Sequence, residues 1–406
     1  MRFTFLHAAD LHLGSPFRGL SLRDEDLARR LANASREAFE GLIDRALEEK
    51  IAFALFAGDI FDGDWKDASI ALFFNRQIAR LAQAGVPLFL LKGNHDAESV
   101  VSRALSLPAL AQEFSSRRTE TFELPQWRVA LHGRSFSDRA ARDNFAHAYP
   151  APRENWFNIG VLHTSLDGRQ GHDSYAPCSL DDLRAKNYDY WALGHVHAHE
   201  VVSRDPYVVY PGNLQGRSIR ETGPKGAVLV DVEEGRVAGL RRLIVDRARF
   251  AEILVDAAPF ERPNDFLRAV EDLAGEAARE AEGRTLALRL RVTGATALHG
   301  ALAADPAHWR DEIEAAIQRV REDVALERLL VATAPARKPG PTLTADFDLA
   351  ALFDEALADP DLRAAAAQAL ALLESKRGPR LAEDMDALLA QARDLALARA
   401  ERGGET

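Results

Sequence analysis

Five apolar runs in the first half of the chain stop abruptly at clusters of histidine, aspartate and asparagine, and this restricts the possible folds more than any other feature. Phe3 to Ala9 ends in Asp10-Leu11-His12, and Ile51 to Ala57 ends in Gly58-Asp59. Val86 to Leu91 runs into Gly93-Asn94-His95-Asp96, Ile159 to Leu162 into His163, and Tyr190 to Leu193 into Gly194-His195-Val196-His197. Short apolar runs bounded by turn residues read as buried strands. Between the first two lies a helical stretch, about Asp24 to Lys50, with Leu27, Leu31, Ala34, Ala38, Leu42 and Ala46 at helical spacing. A second, about Ala68 to Ala84, closes with Gly85 and Pro87 as stop signals. Strands alternating with helices imply an α/β sheet. Val208 to Tyr210, Ala227 to Val232 and Leu240 to Val245 then follow without long helices between them. The expected fold class is therefore α/β, a four-layer α/β/β/α sandwich with its polar clusters on loops at one edge.

From about Arg249 the order becomes strand (Phe250 to Val255), helix (Pro263 to Ala281), strand (Thr285 to Val292), helix (Pro306 to Val320) and strand (Ala325 to Val331), a small α/β unit. Pro335-Ala336-Arg337-Lys338-Pro339-Gly340-Pro341 suits a linker, since its prolines forbid regular pairing. Alanine and leucine dominate beyond it, reading as three short helices. The expected division is 1–247 for the sandwich, 248–334 for the α/β cap, 335–343 for the linker and 344–406 for a helical carboxy-terminal region.

A chain of 406 residues, 47% of them hydrophobic, can bury a sizeable core and has length for two or three domains. No run approaches the roughly 20 apolar residues that a membrane span requires. The amino terminus brings His7 and Asp10 before an apolar stretch of signal-peptide length can form. These features give the expectation of a cytoplasmic protein with no membrane association. Cys178 is the single cysteine, which excludes an internal disulfide and a thiolate cluster and leaves it a bystander thiol rather than a nucleophile. A net charge of -11 argues against non-specific coating of nucleic acid, which needs a basic face. It leaves a nuclease open, because bound cations supply local positive charge where a phosphodiester must sit.

Seven residues are candidate metal ligands: Asp10, His12, Asp59, Asn94, His163, His195 and His197. Two divalent ions roughly 3.5 to 4 Å apart need a carboxylate between them and other ligands divided around it. The mixture of carboxylate, amide oxygen and imidazole suits manganese, iron or zinc better than magnesium or calcium. Gly58, Gly93 and Gly194 let the backbone turn sharply beside the ligands. Each block alone is weak evidence; five in a fixed order, each at a strand end, carry the reading. His132, His147, His172, His199, His299 and His308 belong to no motif and read as structural or solvent-exposed.

Asp10-x-His12, Gly58-Asp59-x-x-Asp62, Gly93-Asn94-His95-Asp96, Leu162-His163-Thr164 and Gly194-His195-x-His197 together resemble the signature of the calcineurin-like metallophosphoesterases. His7 to Gly14, Gly58 to Trp65 and Pro211-Gly212-Asn213 look like those of the bacterial DNA repair exonucleases of the SbcD and YhaO type. The resemblance spans about Phe3 to Asn213. It implies that Asp59 bridges two metal ions, that Asp10, His12 and His197 complete one, and that Asn94, His163 and His195 complete the other, with manganese as the expected metal. It further implies that His95 contacts the scissile phosphate and aids the leaving oxygen, oriented by Asp96 or Asp62. A histidine stands in eukaryotic and archaeal relatives where this chain has Asp62, so no second histidine role is carried over. The implied reaction is phosphodiester hydrolysis by hydroxide activated between two metals, with no covalent enzyme intermediate.

The main functional expectation is a manganese-dependent DNA repair exonuclease, and the alternatives are a phosphatase or cyclic-nucleotide phosphodiesterase and a DNA-end-binding scaffold without chemistry. The intact ligand set argues against the scaffold. Arg217 and Arg220, just behind the last ligand pair, are candidates for pairing with a DNA backbone. Leu381, Met385, Leu388, Leu389, Ala392 and Leu395 form an apolar stripe that suits packing on the two preceding helices or docking on a partner. The resemblance favours a coiled-coil ABC-type ATPase as that partner, and a homodimer.

Overall fold

Two six-stranded sheets stack face to face in the first part of the computed structural model, which describes residues 1–15, 25–62, 68–98, 107–138, 143–166, 175–336, 349–367 and 385–403. In the first sheet, β1 (Arg2–Ala8), β2 (Phe53–Ala57), β3 (Leu88–Leu91) and β4 (Ala111–Glu113) run parallel in that order. The second sheet begins with β5 (Glu120–Leu124), followed by the parallel strands β6 (Val129–Gly133), β7 (Phe157–His163) and β8 (Tyr190–Gly194). Its far edge is β10 (Tyr207–Tyr210) and then β9 (Glu200–Arg204). β11 (Gly226–Glu233) returns antiparallel to β1 and pairs with β12 (Arg236–Ile244) at the edge of the first sheet.

Alternation along the strands makes the layers. In β1 and β2, Leu6, Ala8, Ala54 and Phe56 face α1 (Glu25–Glu48) and α2 (Ala68–Gln83) and pack with Ala38, Leu42, Phe74 and Ile78. Phe3, Phe5, Phe53 and Leu55 point the other way, into the space between the sheets, against Phe157, Ile159 and Tyr190. Phe5 and Phe53 stack with centroids 5.0 Å apart. The six helical-spacing residues of α1 named from sequence are all buried. On the outer face of the second sheet, Leu162, Trp191 and Tyr210 are covered by Phe136, Phe145, Tyr149 and Leu183. Among the described residues that fourth layer consists of a 3-10 turn (Phe145–Ala148), the short helix α4 (Leu180–Arg184) and loops rather than long helices.

The α/β/β/α expectation is met. Missing from the sequence reading are β4, β5, β6 and β9, and also the short helices α3 (Asn94–Glu98), Leu180–Arg184 and His299–Ala304. β4 and β9 are polar edge strands with no fully buried residue, so neither carries an apolar period. β6 is wholly buried but only five residues long.

The chain divides into two compact units, Met1–Ala251 with Ala281–Ala287 and Glu252–Glu280 with Leu288–Thr406. β13 (Ala248–Asp256), β14 (Thr285–Thr296) and β15 (Val324–Pro335) form a three-stranded sheet. Within the second unit α5 (Pro263–Glu280) and α7 (Pro306–Val320) pack on each other, burying Phe266, Val270, Trp309 and Ile313, and α6 (His299–Ala304) precedes α7. In the tail, α9 (Met385–Gly403) packs against α6 and α8 (Leu349–Ala358), with Leu388, Leu389 and Leu395 half-buried and Ala392 exposed. Leu381, His172 and residues 337–343 of the expected linker lie outside the described residues. Among the described residues no helix is long and apolar enough to cross a membrane.

Candidate metal centre

The carboxyl ends of β1, β2, β3, β7 and β8 all open on the same edge of the sandwich, where an α/β sheet places its ligands. The loop after β1 is hydrogen-bonded alongside the loop after β2: Asp10 N donates to Gly58 O at 2.9 Å, His12 N to Asp59 O at 3.0 Å and Leu13 N to Ile60 O at 2.9 Å. Asp10, His12, Asp59 and His195 adopt positive φ, at 52°, 41°, 54° and 100°. Such conformations cost of order 1 to 3 kcal/mol each in non-glycine residues and persist at functional sites where the surroundings impose them. Gly93 has no room for a side chain, since a Cβ there would meet the Asp59 carboxylate and backbone.

All seven candidate ligands come together. One donor atom each from Asp10, His12 and His197 lies within 4.8 Å of the others, and the same holds for Asp59, His163 and His195. Asp59 lies between the two groups, its Oδ2 3.4 Å from His163 Nε2 and 3.8 Å from His12 Nε2. Asn94 Oδ1 is 3.0 Å from His163 Nε2. His163 Nδ1 is 2.9 Å from the Ala57 carbonyl, which fixes the proton on Nδ1 and leaves Nε2 as the donor. Backbone N–H groups hold the carboxylates: His195 N donates to both oxygens of Asp10, at 3.1 and 2.9 Å, and His95 N to Asp59 Oδ1 at 3.0 Å.

A third group, His12, Asp62 and His95, adjoins these. Asp62 Oδ1 is 2.9 Å from His95 Nδ1, and Ser15 Oγ donates to Asp62 Oδ2 at 2.6 Å. Asp62, and not Asp96, therefore meets His95. Asp96 instead accepts from the backbone N–H of Ile60, Phe61 and Gly93 at 3.0, 2.9 and 3.1 Å, tying the loop after β2 to the loop after β3. Of the two carboxylates expected to orient His95, Asp62 or Asp96, the first is the one in contact with it. Arg217 is likewise not a free cation awaiting a backbone: Nη1 lies 3.7 Å from Asp62 Oδ2 and Nη2 3.3 Å from Glu221 Oε1. Arg220 is exposed. Glu221 lies 2.7 Å from His197 Nδ1 and was invisible in the sequence, being an acidic residue in a loop without period or motif. His7 is a core histidine, bonded to Tyr190 and Leu193, and Cys178 is buried in the outer core.

Without cations the electrostatics of this site are divided. Burial pushes His12 down to about 3, aided by Arg217, and raises Asp10. For His163 burial opposes protonation, but Asp59 and Asp10 override it and the ring is raised to about 9. Asp59 is opposed by burial too, yet His163, His12 and His95 hold it well below the usual carboxylate range. Burial and the nearby Asp59 raise Asp96 to about 7, against its three backbone donors.

The donors fit divalent cations. His12 Nε2 and His197 Nε2 face each other at 3.2 Å, with Asp10 Oδ1 3.8 Å from the latter. Two ring nitrogens so placed either share a proton or turn both lone pairs to one cation. Asp10 and Asp59 are almost wholly removed from water, where unpaired charge is expensive.

Residues 3–199 match the model of the calcineurin-like phosphoesterase family. The chain contains a calcineurin-like phosphoesterase domain. Beyond that phosphoesterase domain, residues 250–334 match the middle domain of metallophosphoesterase YhaO. YhaO of Bacillus subtilis is 40% identical over 239 residues, 58% of this chain and 59% of that protein. The DNA double-strand break repair protein Mre11 of Sulfurisphaera tokodaii is 25% identical over 256 residues, 59% of this chain and 62% of that one. The SbcD component of the SbcCD nuclease of Escherichia coli is 25% identical over 285 residues, 59% and 68% of the two chains. The matched region thus spans about three fifths of YhaO and Mre11. Divalent cations are the ligands of calcineurin-like phosphoesterases, and the histidine–aspartate groups of this chain can hold them.

Proposed function

We propose that this chain is a manganese-dependent DNA exonuclease that hydrolyses phosphodiester bonds. One observation carries the chemistry: Asp59 lies between two groups of nitrogen and oxygen donors, and the His95–Asp62 pair stands beside them. Asp10, His12 and His197 would hold one ion, Asn94, His163 and His195 the other, and Asp59 both. Bound there, the ions would supply Lewis acidity, lowering the pKa of water and offsetting charge on the phosphoryl oxygens. His95 keeps Nδ1 on Asp62, so Nε2 is the ring nitrogen left for substrate. Although burial opposes protonation, Asp62 and Asp59 raise the His95 pKa above its ordinary value, which favours the protonated ring that can donate from Nε2 to the departing oxygen. DNA as substrate is supported by the similarity to the DNA double-strand break repair protein Mre11 and to a subunit of the SbcCD nuclease. Residues 248–334 would select DNA, and a coiled-coil ABC-type ATPase and a second copy of the chain would be its partners.

Digestion of end-labelled duplex DNA with manganese, run beside chelator and aryl-phosphate controls, tests this. Progressive loss of label that the chelator abolishes is the expected result. Aryl-phosphate turnover with intact DNA would refute the nuclease reading and favour a small-ester phosphatase.

A further inference from the structure

Glu221 and Arg217 join two carboxylate–histidine pairs that belong to different parts of the site. Glu221 Oε1 is 2.7 Å from His197 Nδ1, and Asp62 Oδ1 is 2.9 Å from His95 Nδ1. The guanidinium of Arg217 lies between the two carboxylates, 3.3 Å from Glu221 Oε1 and 3.7 Å from Asp62 Oδ2. Glu221 is further fixed through Oε2, which accepts from Arg217 N at 2.7 Å and Asn213 Nδ2 at 3.0 Å. The backbone of His197 is held as well, its carbonyl accepting from Lys225 Nζ at 3.1 Å.

The tautomer of His197 follows from these distances. An ionised carboxylate only accepts, so a contact of 2.7 Å places the ring proton on Nδ1. Arg217 N, Arg217 Nη2 and Asn213 Nδ2 also donate to the Glu221 carboxylate, which therefore stands as an acceptor towards His197 too. Arg217 Nη2, 3.3 Å from the same Nδ1, is the longer contact and cannot accept that proton. The lone pair of Nε2 then faces His12 and Asp10.

We propose that Glu221 and Arg217 are positioning residues of the metal centre: Glu221 holds His197 in the Nδ1–H form with Nε2 turned to the cation, and Arg217 locks Glu221 and ties it to the Asp62–His95 pair. This rests on the two-metal reading of the site and assigns both residues away from DNA. A carboxylate behind a ligating histidine typically contributes about 10- to 100-fold in metal affinity.

The test uses the full-length chain with Glu221→Ala, Glu221→Gln and Arg217→Met. Nitrogen-15 NMR of the metal-free proteins reads the His197 tautomer, and manganese titration followed by electron paramagnetic resonance reads each binding step. Glu221→Ala should lose the Nδ1–H form and weaken one of the two manganese steps by about 10- to 100-fold while sparing the other. Glu221→Gln, whose amide oxygen still accepts from Nδ1–H, should restore the tautomer and most of that affinity. Arg217→Met should give a smaller loss at the same step. An unchanged tautomer and two unchanged manganese steps in folded Glu221→Ala would overturn the proposal, as would a lowered melting temperature with no tautomer change. Since neither readout involves DNA, failure of the wild-type chain to cut DNA would leave these results standing and count only against the nuclease reading.

Discussion

Replacing Asp59 by Asn is the perturbation that reaches furthest into the site. The amide keeps the shape of the carboxylate and its oxygen can still accept from His95 N, so the loops after β2 and β3 stay joined. What disappears is the charge 3.4 Å from His163 Nε2 and 3.8 Å from His12 Nε2. In the metal-free protein the consequence can be worked out from His163, whose ring titrates near 6.5 unfolded and is raised to about 9 folded. A raised folded pKa contributes stability that is fully present below 6.5 and is lost as pH rises through about 9. At 1.36 kcal/mol per pH unit that contribution is about 3 kcal/mol. In Asp59→Asn only Asp10 and the Ala57 carbonyl still oppose burial, so the His163 pKa falls back towards its ordinary value and most of this pH dependence goes. Urea unfolding of the metal-stripped proteins at about pH 6 and about pH 9.5 measures it. A fall of about 3 kcal/mol in the wild type and little in the variant is expected, while equal falls in both would refute the charge assignment. With manganese present the same variant should lose metal occupancy and activity, and full activity would refute a carboxylate shared by two ions.

Other changes act on one part at a time. His95→Gln should keep both manganese ions and DNA binding but lose about 10²- to 10⁴-fold in single-turnover rate, and loss of metal instead would make His95 a ligand. A chain cut after residue 247 removes Arg249 and Arg284, the partners of the fully buried Asp246 carboxylate. The stranded charge should destabilise the phosphoesterase unit by about 3 to 5 kcal/mol in thermal or urea unfolding, partly recovered by Asp246→Asn; an unaffected truncated chain would refute it. Leu388→Asp with Leu389→Asp should abolish co-purification with the ATPase and leave manganese-dependent cleavage intact. Unfolding of the double variant would place the half-buried stripe in the protein's own core, where α9 already packs on α6 and α8.

Most of the sandwich and all seven candidate ligands were legible in the chain alone, because both depend on local patterns. Apolar runs and helical spacing mark buried strands and helices, and a ligand at a strand end is written directly after its run. Contacts between loops distant in sequence were not legible. Asp62 and Asp96 are both acidic residues beside a motif, and nothing local separates them. Only the folded chain decides that Asp62 takes His95 while Asp96 is consumed by three backbone donors. Glu221 meets His197 across 24 residues and Arg217 meets Asp62 across 155, and neither pairing leaves a period, a spacing or a composition to read. The polar edge strands β4 and β9 escaped for the related reason that they are held by neighbours rather than by buried side chains of their own. Chemistry that comes from residue type was set by the sequence; which carboxylate serves which histidine was set by tertiary structure, because a hydrogen bond depends on distance in space.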